Sequence, residues 1–309
     1  MKILLLAPEF DFNEEWRAAL KSTLPNDELY EGDQFAPDDV EIAIVYNPPY
    51  KILRRYSNLI AIISLSAGVD GLLSDNSLPN VPIIRLATAD IVYLMREYVI
   101  YQVLRIHRDF AAIEQQHQRR EWQWMPPYHP ASHRRVSVLG LGRLGMPCAI
   151  ALTHLGFKVS GWSKSLKNIP NVSCFAGDEG LSLLLPRTDI LICLLPLTDT
   201  TYNILSSSLF NQLPRGASII NVSRGGCLNE KDLLKELENG KIAHATLDVF
   251  KIEPLPLSHP FWMHPRITIT PHVAADSRPC SSALEIADII SRLRNGKPLP
   301  NLVCRVKGY

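Results

Sequence analysis

The sequence predicts an α/β protein built from two doubly wound domains, and three observations support that prediction. The 309 residues are enough for two domains of about 150 residues each. Short, nearly continuous apolar runs alternate with helical stretches, which is the pattern of parallel strands covered on both faces. A glycine-rich turn, Gly140-Leu141-Gly142-Arg143-Leu144-Gly145, separates one such run from a helical stretch.

Composition and charge narrow the class of protein. Lysine and arginine number 32 against 31 acidic residues, so the formal net charge is +1. Such a balance provides no electrostatic attraction to nucleic acid or to an anionic membrane. No run approaches the roughly 20 apolar residues of a membrane span. In residues 1–8 an apolar run of only about five residues precedes acids, so we expect a buried strand rather than a signal peptide.

The six cysteines show no CxxC pair and no zinc-like spacing. We therefore expect no metal site. The apolar neighbours of Cys148 and Cys193 indicate buried thiols, and free thiols are typical of a reducing compartment. The predicted location is the cytoplasm.

The first hundred residues predict the smaller of the two sheets. Strands are expected at residues 3–6, 42–46, 60–65 and 83–86, with an amphipathic helix at 14–24. The third strand is followed by Ser66-Ala67-Gly68-Val69-Asp70. Since ligands bind at the carboxyl ends of parallel strands, this segment is either a ligand-binding turn or a simple strand-to-helix connection.

A single long helix is predicted over residues 92–118, because apolar residues recur there at three- and four-residue steps. It leads into an aromatic and proline-rich loop from Trp122 to Tyr128. Exposed tryptophans mark interfaces or binding sites, whereas tryptophans that fold back serve only their own domain. The sequence leaves both possibilities open for Trp122 and Trp124.

The second sheet is predicted from residue 135 onward. Strands are expected at 136–140, 158–162, 190–194, 218–222, 245–249 and 267–270, with helices between most of them, including 146–155 and 231–238. The last helix, 281–294, ends at Asn295-Gly296-Lys297-Pro298, and we expect it to return to the first domain.

The glycine-rich turn predicts a dinucleotide site because it has a strand before it and a helix after it. Gly140 allows the tight turn, Gly142 lets backbone approach a pyrophosphate, and Gly145 lets the helix pack on the strand. The N-terminus of the following helix would face the phosphates.

The next strand predicts which dinucleotide binds. An NAD site places an acid about 20 residues after the turn to hold the ribose 2′-hydroxyl. Here Trp162-Ser163-Lys164-Ser165 contains no acid, and hydroxyls with a lysine suit a 2′-phosphate. We therefore predict NADP in preference to NAD. The alternative is that these residues only cap the turn after the strand.

Three side chains that follow later strands could perform chemistry. Arg224 follows a strand and precedes two glycines, Glu253 follows another strand, and His272 ends the last one. An arginine fork grips a carboxylate bidentately. A histidine backed by a carboxylate exchanges protons near neutral pH. Together they suit hydride transfer on a 2-oxo or 2-hydroxy acid.

Four separated motifs together resemble one known family. They are Gly140 to Gly145, Asn221-Val222-Ser223-Arg224-Gly225, Asp248-Val249-Phe250 with Glu253-Pro254, and Thr270-Pro271-His272. In order and spacing they resemble the D-isomer-specific 2-hydroxyacid dehydrogenases. The segments 65–70 and 162–165 and the ending Lys307-Gly308-Tyr309 are most similar to the glyoxylate/hydroxypyruvate reductase A branch. Trp162 and Ser163 depart from the wider family pattern, and both fit the NADPH-using branch.

The resemblance implies an architecture and an activity. It implies a flavodoxin-like substrate domain (residues 1–100 and 278–309), a Rossmann NAD(P)-binding domain (101–277), an active site in the cleft, and a homodimer. The implied activity is NADPH-dependent reduction of glyoxylate to glycolate or of hydroxypyruvate to D-glycerate. An alternative on the same fold is a dinucleotide-sensing binding protein or corepressor, which the absence of a charged interaction tail disfavours.

The resemblance also implies roles for individual residues. Arg224 would bind the substrate carboxylate, His272 would act as the general acid, and Glu253 would support the protonated imidazole. The implied substrate contacts also include Tyr46 and the backbone of Ala67, Gly68 and Val69. Beyond the three glycines and the 162–165 segment, the implied cofactor contacts are Arg143, Leu144, Leu195, Pro196, Thr201, Val222, Ser223 and Asp248.

Overall fold

A computed structural model describes residues 1–8, 14–31, 37–125 and 129–309. The chain divides into two units, residues 1–91 with 276–309, and residues 92–275. The first division falls inside a long helix, because Met95, Val99 and Val103 of that helix pack in the core of the second unit. The assignment of one unit to substrate and the other to cofactor stays a prediction.

The first unit is built on a five-stranded parallel sheet. Its elements are β1 (Lys2–Leu6), α1 (Glu14–Thr23), β2 (Glu28–Glu31), β3 (Ile42–Val45), β4 (Ala61–Ser64), α2 (Asp70–Leu73), β5 (Ile83–Arg85) and α9 (Pro279–Arg294), and the strand order is β2-β1-β3-β4-β5. Ile3 and Leu5 of β1 pack in the core that contains α1 and α9, whereas Leu4 packs on the opposite face. Because both faces are covered, alternate residues of a strand are all buried, which explains the continuous apolar runs.

The second unit is built on a seven-stranded sheet in which every paired strand is parallel. Its strands are β6 (Arg135–Leu139), β7 (Lys158–Ser163), β8 (Val172–Ala176), β9 (Ile190–Cys193), β10 (Ala217–Asn221), β11 (Ile242–Leu247) and β12 (Ile267–Ile269). The order is β12-β11-β10-β9-β6-β7-β8. The carboxyl ends of these strands therefore lie along a single edge.

Helices cover both faces of this sheet. They are α3 (Ala89–His107), α4 (Phe110–Arg119), α5 (Gly145–His154), α6 (Gly177–Leu184), α7 (Ser207–Phe210) and α8 (Glu230–Glu238). One core contains β9 and β10 residues with α7 and α8, and the other contains β6 residues with α3 and α5. The α/β prediction is confirmed, since both units consist of parallel sheets with flanking helices.

The single helix predicted over residues 92–118 is wrong in one respect. Asp109 adopts a left-handed backbone with φ of 49°, which ends α3 and separates it from α4. An L-residue in that region cannot continue a right-handed helix, and aspartate tolerates it better than most residues do. The apolar periodicity continues across Asp109, so the sequence pattern could not reveal the break between α3 and α4.

Two strands were not predicted, β2 and β8, and each lies at an edge of its sheet. The sequence of β2 is Glu-Leu-Tyr-Glu, and none of its residues is buried. Such strands are defined by backbone hydrogen bonds to a neighbour rather than by buried side chains. Their side-chain pattern therefore carries little signal.

The tryptophans after α4 project from the second unit. Trp122 is fully exposed and Trp124 is 77% exposed, so neither ring packs into the core of its own unit. Residues 126–128 of the same predicted loop lie outside the described residues. Among the described helices, none is both long enough and apolar enough to cross a membrane.

Candidate active site

The glycine-rich turn joins β6, an interior strand of the second sheet, to α5. Gly140 has a φ of 100°, and a Cβ at this position would lie 2.6 Å from the carbonyl oxygen of Leu194. A Cβ on Gly145 would lie 1.9 Å from the carbonyl oxygen of Gly140. In contrast, nothing lies within 4 Å of a Cβ built on Gly142, which is exposed. Two glycines thus permit close packing, while the third leaves open space beside the turn.

This turn lies where the strand order reverses. β6 is flanked by β9 on one side and β7 on the other, so the chain leaves β6 for β7 and later returns to β9. Ligands in open α/β sheets bind at such a switch point, outside the carboxyl ends of the strands. The helix α5 begins in this turn, and no side chain caps its N-terminus.

The end of β7 lies beside the glycine turn, since Leu139 and Trp162 are register partners. The indole Nε1 of Trp162 donates a hydrogen bond to the carbonyl of Gly177 at 2.8 Å, which fixes the ring. The hydroxyl of Ser163 donates to the carbonyl of Ser165 at 2.8 Å. Ser163 therefore caps the turn after the strand, as the alternative to phosphate binding predicted. Lys164 and Ser165 are exposed, as is Arg143 in the glycine turn. Segment 162–165 therefore presents hydroxyls and a cation, without an acid, next to the dinucleotide turn.

The loop after β9 is closed by one hydroxyl. Thr201 Oγ1 donates to the carbonyl of Pro196 at 2.7 Å and accepts from the amide of Thr198 at 2.8 Å. Leu195 at the start of this loop is buried. The predicted cofactor contacts Leu195, Pro196 and Thr201 thus belong to one internally bonded loop at the same sheet edge.

The turn that carries Arg224 is held from below by a buried asparagine. Asn221 Oδ1 accepts from the amide and hydroxyl of Ser223 at 3.2 and 2.7 Å, and its Nδ2 donates to the carbonyl of Arg224 at 3.2 Å. Arg224 Nη1 donates to the carbonyl of Ser223 at 2.8 Å. Val222 is buried in the core that contains α3 and α5. The guanidinium is consequently set by the local backbone at the end of β10.

The Arg224 turn contacts the loop of Glu253 directly. A Cβ on Gly225 would lie 1.9 Å from the carbonyl carbon of Phe250, so only glycine fits where the two backbones cross. The amide of Phe250 then donates to Glu253 Oε1 at 2.8 Å. The same crossing that positions Arg224 therefore also orients the carboxylate.

Glu253 and His272 form a hydrogen-bonded pair. Oε2 of Glu253 lies 2.7 Å from Nδ1 of His272, and both side chains are partly exposed. The hydrogen bond to Glu253 raises the pKa of His272, although partial burial and the charge of Arg224 oppose it. Partial burial acts to raise the pKa of Glu253, but hydrogen bonds from His272 and Phe250 bring it below its usual value. Both shifts favour an imidazolium beside a carboxylate.

Asp248 lies beneath the turn of His272. Its carboxylate is only 1% exposed and accepts from the amides of Val273 and Ala274 and from the hydroxyl of Thr270. The hydrogen bonds described for this carboxylate all come from the protein itself. The contact of Asp248 with the cofactor therefore stays a prediction. No role was predicted from the sequence for Thr270 or for its partner Tyr98. A hydroxyl two residues before a candidate histidine is the signal that could have indicated Thr270.

The remaining predicted substrate contacts belong to the first unit. Tyr46 directly follows β3, and Ala67, Gly68 and Val69 lie between β4 and α2. All four are at carboxyl ends of parallel strands, and the carbonyl of Ala67 accepts from Arg85 Nη1 at 3.3 Å. They stay predictions. In the described parts of the chain, no three His, Cys, Asp or Glu side chains form a group that could hold a metal.

Comparison with known proteins identifies the family. Residues 100–274 match the family model described as D-isomer specific 2-hydroxyacid dehydrogenase, NAD binding domain. The chain belongs to the D-isomer-specific 2-hydroxyacid dehydrogenase family. The predicted family is thus confirmed. A glyoxylate/hydroxypyruvate reductase A from Serratia proteamaculans (strain 568) is 39% identical to this family member, with both chains fully covered.

Solved structures of the family show the same fold. A D-isomer specific 2-hydroxyacid dehydrogenase from Xanthobacter autotrophicus Py2, in complex with NADPH and MES, superposes with a TM-score of 0.94 at 36% identity, covering 99% of each chain. An NADPH-dependent glyoxylate/hydroxypyruvate reductase from Sinorhizobium meliloti, in complex with NADP and sulfate, gives 0.94 at 33% identity, covering 100% of this chain and 99% of that one.

Proposed function

We propose that the protein is an NADPH-dependent reductase of small 2-oxo acids that converts glyoxylate to glycolate and hydroxypyruvate to D-glycerate. The observation that carries this proposal is the placement of Arg224, Glu253 and His272 after three neighbouring strands, β10, β11 and β12. Each follows its strand at the carboxyl edge, where the dinucleotide turn also lies. The relatives named above, which use these substrates or bind NADP by their own descriptions, support it.

The residues present fit NADPH. The open space at Gly142 and the N-terminus of α5, which no side chain caps, suit a pyrophosphate. Segment 162–165 offers Ser163, Lys164 and Ser165 to a 2′-phosphate and no acid that would repel it. When bound, NADPH supplies the hydride that reduces the 2-oxo carbon.

The protein's own groups bind the substrate and manage the proton. Arg224 grips the substrate carboxylate through its planar guanidinium and polarises the 2-oxo group. Since Nδ1 of His272 is bonded to Glu253, Nε2 is the nitrogen that protonates the developing alkoxide oxygen. Glu253 stabilises the imidazolium before that transfer and holds the neutral ring in one orientation afterwards.

We also propose that the protein is a cytoplasmic homodimer joined through the second unit. Tyr101, Phe110, Trp122 and Trp124 are all exposed on α3, on α4 or just after α4. Large apolar side chains of this kind are enriched at protein interfaces. Light scattering should give twice the mass of the 34.7 kDa chain, and Trp122→Ser with Trp124→Ser should lower it. A monomeric wild type would contradict the dimer.

The activity is tested by NADPH oxidation at 340 nm with glyoxylate, hydroxypyruvate, pyruvate and phenylpyruvate. We expect turnover with glyoxylate and hydroxypyruvate, and a His272→Ala variant whose kcat is lower by about two to four decades. Tight NADPH binding without turnover on any of these acids would overturn the reductase and favour a dinucleotide sensor.

A further inference from the structure

A partly buried chain of hydrogen bonds runs from α3 to the turn of His272. The hydroxyl of Tyr98 lies 2.6 Å from Thr270 Oγ1, and Thr270 Oγ1 donates to Asp248 Oδ1 at 2.6 Å. A threonine hydroxyl has a single proton, and here that proton is used in the hydrogen bond that Thr270 donates to the carboxylate. Tyr98 must therefore be the donor to Thr270. The chain has one direction, from Tyr98 through Thr270 to Asp248.

Asp248 in turn holds the backbone on both sides of the imidazole. Its carboxylate accepts from the amides of Val273 and Ala274 at 2.9 and 3.0 Å, and its carbonyl accepts from the amide of His272 at 2.9 Å. His272 itself has a φ of 54°. A histidine keeps this left-handed conformation only where its surroundings impose it. Three hydrogen bonds to one residue supply that constraint.

Two of these three hydrogen bonds, those from Val273 and Ala274, end on the carboxylate, and such bonds are stronger when the carboxylate is charged. Burial raises the pKa of this carboxyl, while the hydrogen bonds from Thr270, Val273 and Ala274 and the charge of His272 oppose the rise. Burial also raises the pKa of Tyr98 to about 12, so the phenol stays a donor through the neutral range.

The other titratable and polar groups around this chain are few. Tyr98 is also influenced by Gln102 and Tyr101 on its own helix. His272 is faced by Glu253 and Arg224 from the neighbouring loops. Among the hydrogen bonds described for the Asp248 carboxylate, the one from Thr270 comes from a side chain, and those from Val273 and Ala274 come from backbone amides.

We propose that Tyr98 and Thr270 are positioning residues, which keep Asp248 ionised and thereby hold His272 in its left-handed turn against Glu253. This inference rests on the proposed function in one point, that His272 is the acid of the reduction. Neither residue touches the reacting atoms in this assignment. They act through Asp248, so their effect should appear in the pH dependence rather than in substrate affinity.

The first test is the pH profile of kcat/KM for glyoxylate reduction. Thr270→Val keeps the side-chain shape but removes the donor to a buried charge, so Asp248 should take up a proton at higher pH. We expect the acid limb to move to higher pH by about one unit, with KM for glyoxylate nearly unchanged. Thr270→Ser keeps a hydroxyl at this position, so its acid limb should lie at the same pH as in the wild type. Tyr93→Phe, which alters an exposed tyrosine of the same helix, should leave it in place.

The second test asks whether Tyr98 acts through Thr270. Tyr98→Phe should move the acid limb in the same direction by a smaller amount. In the Thr270→Val background it should add nothing, because the route to Asp248 is already broken. Additive effects of the two substitutions, or a limb that stays in place in Thr270→Val, would overturn the proposal.

A measurement without turnover separates this proposal from the proposed function. The Asp248 carboxyl carbon can be titrated by NMR in the protein without cofactor, with Asp248→Asn giving the assignment. A higher midpoint in Thr270→Val supports the chain even if no 2-oxo acid is reduced. An unchanged midpoint with only a lower Tm would reduce Thr270 to a structural residue. If Thr270→Val does not fold, Tyr98→Phe carries the same test.

Discussion

Nδ1 of His272 and Oε2 of Glu253 lie 2.7 Å apart, although the two residues belong to loops that follow different strands. The amide of Phe250 holds the second oxygen of Glu253, so the carboxylate has a fixed orientation toward the ring. A carboxylate at this distance stabilises the imidazolium. The pair is therefore prepared to donate a proton when a negative charge develops on substrate oxygen.

Glu253→Gln should move the alkaline limb of the reduction profile to lower pH. Glu253 raises the pKa of His272, so without its charge the imidazolium is lost at lower pH, and reduction needs the imidazolium. On the alkaline side we expect kcat/KM to fall by about tenfold. The measurement is kcat/KM against pH for both proteins. A limb that does not move would mean that Glu253 is not coupled to the acid.

Arg224→Lys should behave as a severe change. A lysine loses the planar fork that holds a carboxylate bidentately, so we expect a higher KM for the 2-oxo acid, a lower kcat, and a kcat/KM reduced by about one to two decades. Arg215→Lys is the matched control, since Arg215 is exposed and contacts only the carbonyl of Asn239 among the described hydrogen bonds. Near-normal kinetics in Arg224→Lys would remove this residue from the site.

Ser163→Asp should shift cofactor preference from NADPH toward NADH. An aspartate at the end of β7 repels a 2′-phosphate and offers an acceptor to a ribose hydroxyl. In the wild type we expect NADPH to be favoured by about one to two decades in kcat/KM, the scale of one charge-assisted contact. Ser163→Asn introduces a side chain of nearly the same size as aspartate but without its charge, so it should keep most of the preference for NADPH. Equal kcat/KM for both cofactors in the wild type would contradict the assignment.

Gly225→Ala and Gly226→Ala should differ sharply although the residues are adjacent. A Cβ on Gly225 meets the backbone of Phe250 at 1.9 Å, whereas a Cβ on Gly226 meets only the side-chain end of Leu197 at 2.9 Å. We expect Gly225→Ala to cost about 3 kcal/mol or more of stability and to abolish activity. Gly226→Ala should cost about 1 kcal/mol. Urea unfolding measures both, and similar values would mean that the loops separate easily.

The sequence by itself determined the elements that bury their side chains and the residue types that can do the chemistry. Strands covered on both faces must be apolar along their whole length, so β1, β3 and β4 are visible as runs. Glycine is required at positions 140 and 145 because the backbone of other residues lies so close that any side chain would clash with it. The family motifs around Arg224, Glu253 and His272 could be recognised without coordinates.

Only the tertiary structure determined which of those residues meet. Arg224, Glu253 and His272 share one edge because β10, β11 and β12 are neighbours in the sheet, and strand order cannot be obtained from spacing along the chain. Tyr98 reaches Thr270 across 172 positions of sequence for the same reason. Hydrogen bonds and charges act over a few ångströms of space, so their partners are set by how the strands and helices pack rather than by local sequence pattern.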